Sequence, residues 1–241
     1  MIKKDIYDQM IQMIFESNPF SFVRYGDGEW ACILRNNDIY NKSLKTWGSS
    51  IEPFCFELES IVSSNVFKNK NYFLGIQGLA YKIFGEQIDV FIKNKNVCDS
   101  DILHRRSASN GIYSLFESFV DRDVILVGPK YLSDITLFKF KHIETSELSV
   151  WLDIDKIKDE LTRHISNSTN PIILYSCSLA AKIIINDLYK LMGNSIIQID
   201  TGSLLDPYVG IYSRKYHKIV LDRLGYDESN IKLSKHRPDI K

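Results

Sequence analysis

The stretch Phe20-Ser21-Phe22-Val23-Arg24-Tyr25-Gly26-Asp27-Gly28-Glu29-Trp30-Ala31-Cys32-Ile33-Leu34 decides the fold. Its apolar start, Phe20 to Val23, reads as a buried strand, and Trp30 to Leu34 reads as the first turns of a packed helix. Between them two carboxylates one residue apart, each preceded by glycine, occupy a strand-to-helix turn. That is where α/β proteins bind ligands. Glycine there permits positive φ and leaves no Cβ to obstruct a ligand. Asp27 and Glu29 are thus placed to share one hard cation whose other positions go to water and phosphate oxygens. Gly-Asp-Gly is also ordinary turn composition, and acids in a helix's first turn favour its dipole. The turn therefore acquires chemical meaning only if other strand ends supply partners.

Working outward, Ile2, Ile6, Met10, Met13 and Ile14 recur at helical spacing. A polar loop, Asn36 to Lys45, precedes a helix capped by Ser49 or Ser50, carrying Glu52 and Pro53 in its first turn and running to about Ile61. Tyr72 to Ile76 is a second strand, followed by a helix to about Ile92. Asn96 to Asn110 is polar and without clear period. Asp123 to Val127 is a strand broken by Gly128-Pro129, and Lys139 to Ile143 is a short one. Asp153 to Ile165 is helical, Pro171 to Tyr175 a strand, and Ser178 to Met192 a helix with serine at its start and Gly193 past its end. Ser195 to Ile199 is the last strand. Strands alternating with helices predict an α/β fold with a mostly parallel sheet and helices on both faces. No repeat, low-complexity run or linker interrupts 1–241, so one main domain is expected.

Composition narrows the partners. Thirty basic and thirty acidic residues cancel, so no global field points to nucleic acid or an acidic polymer. The segment Ser213 to Lys241 is locally basic, with eight Lys and Arg against four acids, which reads as a solvated tail or a weak contact with an anionic membrane surface. Cys32, Cys55, Cys98 and Cys177 are scattered without C-x-x-C spacing, which argues against a zinc site or a disulfide framework. The N-terminus lacks a signal-peptide pattern and no stretch approaches the ~20 apolar residues of a membrane span, so a cytoplasmic location is expected. The five histidines form no H-E-x-x-H, and P-loop, G-x-G-x-x-G and G-x-S-x-G motifs are missing.

In a parallel sheet the strand carboxyl ends share one edge, and the segments that follow them are polar: Gly26 to Glu29, Gln77-Gly78, Gly128 to Lys130, Glu144 to Ser146, Ser176 to Ser178, and Asp200 to Ser203. Asp200-Thr201-Gly202-Ser203 offers a third acid beside hydroxyls. Two further D-x-D strings compete. Asp153-Ile154-Asp155 reads as a helix cap, and Asp99-Ser100-Asp101 precedes His104-Arg105-Arg106, whose arginines suit a pyrophosphate or an anionic acceptor.

The run Val23-Arg24-Tyr25-Gly26-Asp27-Gly28-Glu29 resembles the R-[FY]-G-D-G-E signature of the GT-D-type glycosyltransferases, a domain family long catalogued as of unknown function. Asp123 to Gly128, Pro171 to Gly193 and Ile199-Asp200-Thr201-Gly202 resemble further segments of that family, in order and spacing over roughly residues 18 to 210. The resemblance implies a Rossmann-like fold of GT-D type and transfer of a sugar from a nucleotide sugar, UDP-linked in the first instance. Asp27 and Glu29 would be the D-x-E pair holding Mn²⁺ or Mg²⁺ at the diphosphate, and Arg24 would contact phosphate or fix the carboxylates. The chain departs from the family in carrying Ser203 where members have histidine, and Ser176-Cys177-Ser178-Leu179-Ala180 in place of a small-residue turn.

The resulting expectation is a metal-dependent glycosyltransferase acting on a glycan, glycoprotein or surface polysaccharide. Asp27, Glu29 and Asp200 are the candidate catalytic residues, and Asp27 and Glu29 the metal ligands. Arg24, Tyr25, Gly26, Gly28, Gln77, Arg105, Ser178 and Ser203 are the candidate substrate contacts. Asp200 and Glu144 are candidates for general base on position alone. Two alternatives are a non-catalytic sugar-nucleotide or partner-binding module and a Rossmann-type methyltransferase. The latter is disfavoured because Gly75-Ile76-Gln77-Gly78 lacks an acid for ribose.

Overall fold

Ile172-Ile173-Leu174-Tyr175 is apolar at every position, and such a strand is stable only with a packed layer on each face. The computed structural model of the protein, which describes residues 5–36, 38, 52–227 and 229–233, supplies both layers. The elements are α1 (Tyr7–Phe15), β1 (Ser21–Tyr25), α2 (Asp27–Ile33), α3 (Glu52–Ser63), β2 (Tyr72–Ile76), α4 (Gly78–Ile92), β3 (Val97–Asp99), α5 (Ile102–Ala108) and α6 (Tyr113–Glu117). They continue as β4 (Val124–Pro129), β5 (Lys141–Thr145), α7 (Ile154–Ser166), β6 (Ile172–Tyr175), α8 (Ala180–Met192), β7 (Ile197–Asp200), β8 (Ile211–Tyr212), α9 (His217–Arg223) and β9 (Lys232–Leu233). Strands β1 to β7 form one sheet in the order 3-2-1-7-6-4-5, every pairing parallel.

The period-2 alternation of the strands sorts the core into two halves. Val23, Tyr25, Ile125, Val127, Ile173 and Tyr175 meet α2, α3, α4, α7 and α8 on one face. Phe20, Phe22, Val124, Leu126, Ile172, Leu174 and Ile199 meet α1, α5 and α6 on the other. The expected α/β architecture with helices on both faces is the observed one, and its sheet is parallel throughout. The chain leaves β1 toward β2 and β3 on one side and later builds β4 to β7 on the other, so the strand order reverses between β1 and β7. Ligands of open α/β sheets bind outside the carboxyl ends at such a point. The β1–β7 ladder pairs only Ser21 with Gln198 and Phe22 with Ile199. Beyond it the Arg24 N–H donates to the Asp200 side chain (3.2 Å) instead of to a strand carbonyl.

Several boundaries differ from the sequence expectations. The polar stretch after Asn96 contains the edge strand β3 and helix α5, followed by the short α6. The fifth strand begins at Lys141 and the last at Ile197. Helix α8 begins at Ala180, because Ser178 takes a left-handed backbone (φ 56°) and cannot serve as its N-cap. Asp153 does stand at the N-cap of α7, though without a side-chain capping bond. The proposed Ser49 or Ser50 cap, most of the 36–45 loop and residues 234–241 of the basic segment lie outside the described residues. All four cysteines are buried and none is in a disulfide.

Gly75 lets β2 pack tightly enough to carry the turn after β3. A Cβ there would lie 3.0 Å from the Val23 carbonyl oxygen, 3.1 Å from Phe22 Cε2 and 3.1 Å from Ser100 Cα. Gly75→Ala is expected to destabilise the fold by about 1–3 kcal/mol, as overpacking of a filled core does. Chemical denaturation measures this, and an unchanged midpoint would refute the packing account.

Candidate active site

At the carboxyl edge, β1, β6 and β7 converge on one buried ammonium. Lys182, in the first turn of α8, is 4% exposed. Its Nζ lies 2.9 Å from Glu29 Oε1 and 3.0 Å from Asp200 Oδ2, and donates to the Ser178 carbonyl at 3.2 Å. Burial opposes its charge, but Asp200 and Glu29 more than offset this and hold its pKa above the ordinary value. Burial likewise pushes Glu29 upward, yet Lys182 and the Gly26 N–H leave its carboxyl below the usual range. Glu29 Oε2 accepts that Gly26 N–H at 3.0 Å, the return half of a capping box on α2. Asp200 is equally engaged: its Oδ2 also takes the Arg24 N–H, and its Oδ1 accepts the Gly202 N–H at 3.1 Å.

Asp27 differs from its neighbours. Its backbone N–H donates to Gln77 Oε1 (3.2 Å), which pins the turn to the start of α4. Its carboxylate makes no hydrogen bond or ion pair among the described residues and lines a cleft of about 630 Å³. Arg24 projects from β1 on the face opposite Tyr25, as strand alternation requires. Its Nε donates to the Ser100 carbonyl at 2.8 Å, and its Nη2 lies 3.1 Å from His104 Nδ1 and 3.7 Å from Asp101 Oδ1. A guanidinium only donates, so His104 Nδ1 accepts and its Nε2 carries the proton toward the Thr201 carbonyl at 3.3 Å. Burial, then Arg24, hold the His104 pKa well below its ordinary value, so the ring is neutral. It stacks on Tyr216 with centroids 4.9 Å apart. Gly202 is required beside this arm. It has φ +54°, and an added Cβ would collide with Arg24 Nη1.

The cleft lining also includes Asp206, Ser213, Arg214 and Tyr216. Asp206 accepts from Tyr131 Oη at 3.2 Å and from Ser213 Oγ. Burial pushes its pKa up to about 6, against Ser213, Arg214 and Tyr131, which favour the charged form. A carboxyl that titrates there exchanges protons close to neutrality.

The cleft brings together Arg24, Gly26, Asp27, Gly28, Glu29, Gln77, Arg105, Ser178 and Ser203 from the expected set, with Asp200 at its floor through Lys182. Tyr25 does not join them. It is fully buried and packs on Trp30 and Phe67 in the core. Glu144 is exposed on β5 and is not among the lining residues. Arg105 is tied to Asp99 at 2.8 Å. The imidazole beside the Asp200–Ser203 turn is supplied by His104 from α5. Sequence inspection missed Lys182, Asp206 and Tyr216. Lys182 carried one usable signal: a lysine inside the otherwise apolar run from Leu179 to Ile185 lies on a buried helix face.

A parallel α/β sheet with a carboxylate- and cation-lined cleft at its switch point defines the class: a Rossmann-like fold with a polar ligand site. Among solved structures the chain is similar to a glycosyltransferase of the DUF1792 family from Streptococcus sanguinis, at 18% identity and a TM-score of 0.64 over 86% of this chain and 84% of that one. It is also similar to a domain of unknown function 1792 described as having a distinct glycosyltransferase fold, at 17% identity and a TM-score of 0.61 over 94% and 91% of the two chains. The protein therefore has that glycosyltransferase fold. No family model and no curated protein sequence matches the chain. Among the described residues no helix is long and apolar enough to cross a membrane.

Asp206 provides a measurable signature of the cleft. Its folded pKa of about 6 exceeds the ordinary aspartate value of 3.8, so between those values the folded chain holds a proton that the unfolded chain has released. The corresponding stability is full below the unfolded value and is lost as pH rises through the folded one. Stability of the wild type relative to Asp206→Asn is expected to fall by on the order of 2–3 kcal/mol from about pH 4 to about pH 7. Denaturant titrations across that range read the difference directly, and a constant gap would contradict the assignment.

Proposed function

We propose that the protein is a glycosyltransferase that takes a sugar from a nucleoside-diphosphate donor, UDP-linked in the first instance, and passes it to a hydroxyl of a glycan, glycoprotein or surface-polysaccharide acceptor. The observation that carries this reading is the carboxylate of Asp27, without a partner among the described residues, in the same cleft as Arg24 and Lys182 in a glycosyltransferase-type fold. A divalent cation, Mn²⁺ or Mg²⁺, suits that position because its donors are hard oxygens with free lone pairs. Asp27 fits such an ion. Glu29 fits less well, because both of its oxygens are already engaged by Lys182 and Gly26.

When bound, the cation would offset the charge that gathers on the diphosphate as the anomeric C–O bond breaks. The chain's own part is positioning and electrostatics. Asp27 faces the diphosphate, and Gln77 fixes the turn that presents it. Arg24 is held rigid by Ser100 and His104, so its guanidinium keeps one orientation and lines the cleft. A charge held in place before reaction needs no reorganisation during it. The part of the lining that holds Asp206, Ser213 and Arg214 is left for the acceptor.

Incubation with radiolabelled UDP-sugars and Mn²⁺ tests this reading against that of a non-catalytic binding module. Release of UDP from at least one donor is expected, with a fall of about 100-fold in Asp27→Ala. Binding without turnover would favour the module, and full activity in the variant would remove Asp27 from the site.

A further inference from the structure

The pair Asp27 and Glu29 is adjacent in sequence but chemically divided. Every oxygen of Glu29 and of Asp200 receives a donor from the protein: Lys182 Nζ and the backbone N–H groups of Gly26, Arg24 and Gly202. Lys182 in turn directs its three N–H groups at Glu29, Asp200 and the Ser178 carbonyl, so the ammonium has no donor left for a substrate. Of the acids described in the cleft, Asp27 alone has a carboxylate with no hydrogen bond or ion pair among the described residues.

We propose that Lys182 is a resident cation occupying the position at Glu29 and Asp200 that a metal ion would otherwise take, so that Asp27 is the one carboxylate of the pair that meets the donor's cation and diphosphate. Glu29 and Lys182 are then positioning residues. They clamp the turn after β1 to the turns after β6 and β7, and this fixes the direction in which Asp27 points. The assignment rests on the proposed donor site, which it deepens. An ammonium 2.9 Å from Glu29 Oε1 repels a divalent ion seated on the same oxygen, whereas nothing described competes at Asp27. Removing the ammonium would leave Glu29 and Asp200 facing a cavity of hard oxygens that a small divalent ion fills well.

Two measurements separate this inference from the reading beneath it. The first is calorimetric titration of UDP in the presence of Mn²⁺ into wild type, Asp27→Asn and Glu29→Gln. Asp27→Asn is expected to weaken binding by about 100-fold or more, and Glu29→Gln, whose amide oxygen still accepts a hydrogen bond, by about 10-fold at most. An equal loss in both variants would overturn the inference while leaving the donor site intact. Absence of UDP binding in wild type would instead overturn the proposed donor site. The second is thermal unfolding of wild type and Lys182→Met with Mn²⁺ alone. Mn²⁺ is expected to raise the melting temperature of the variant well above any effect on wild type, because the ion replaces the missing ammonium. Equal effects on the two proteins would overturn the inference. If Lys182→Met does not fold with or without Mn²⁺, the Glu29→Gln titration decides alone.

Discussion

One ammonium organises this edge of the sheet. Burying a lysine costs several kcal/mol in lost hydration, and two carboxylates and a carbonyl at hydrogen-bond distance offset it. Deleting one member of such a set leaves an uncompensated buried charge, which costs about 3–5 kcal/mol. The consequences spread outward. Glu29, held by Lys182, fixes the Gly26 turn and so the exit of Asp27 into the cleft. Asp200, held by Lys182, closes the Gly202 turn and receives the Arg24 backbone where the β1–β7 ladder ends. Arg24 can then lie over Gly202 and engage Ser100 and His104 on the far face of the sheet.

The parts of this arrangement that rest on local chemistry were legible in the sequence. Apolar runs such as Ile172 to Tyr175 name their own strands, and Gly26-Asp27-Gly28-Glu29 marks the turn by composition. The parts that rest on long-range pairing were not. Lys182 looks like one of several polar residues of an amphipathic helix until β1 and β7 bring Glu29 and Asp200 to it. β3 and α5 were hidden because they and the turn between them carry charges that only the fold pairs, Asp99 with Arg105 and Asp101 with Arg24 of β1. Tyr25 was misplaced for a reason available in the sequence: neighbours in a strand face opposite ways, so Arg24 and Tyr25 cannot both line one cleft.

The fold supplies the location and the charges supply the chemistry. A parallel sheet gathers its strand ends on one edge, and here that edge holds a free acid, a fixed guanidinium and a buried acid with a raised pKa around one cavity. His104 brings a neutral imidazole from α5 to the Thr201 carbonyl in the Asp200–Ser203 turn. Its ring orients Arg24 and stacks on Tyr216, a structural task consistent with its neutral state.

The central claim is that a nucleoside diphosphate and its cation sit at Asp27 while Lys182 keeps its two carboxylates. A crystal structure with UDP and Mn²⁺, with the metal located by its anomalous signal, tests this most directly. The account predicts a manganese peak bonded to Asp27 and to diphosphate oxygens, with Lys182 still between Glu29 and Asp200. A manganese ion on Glu29 with Lys182 displaced, or a nucleotide bound away from this cleft, would contradict it.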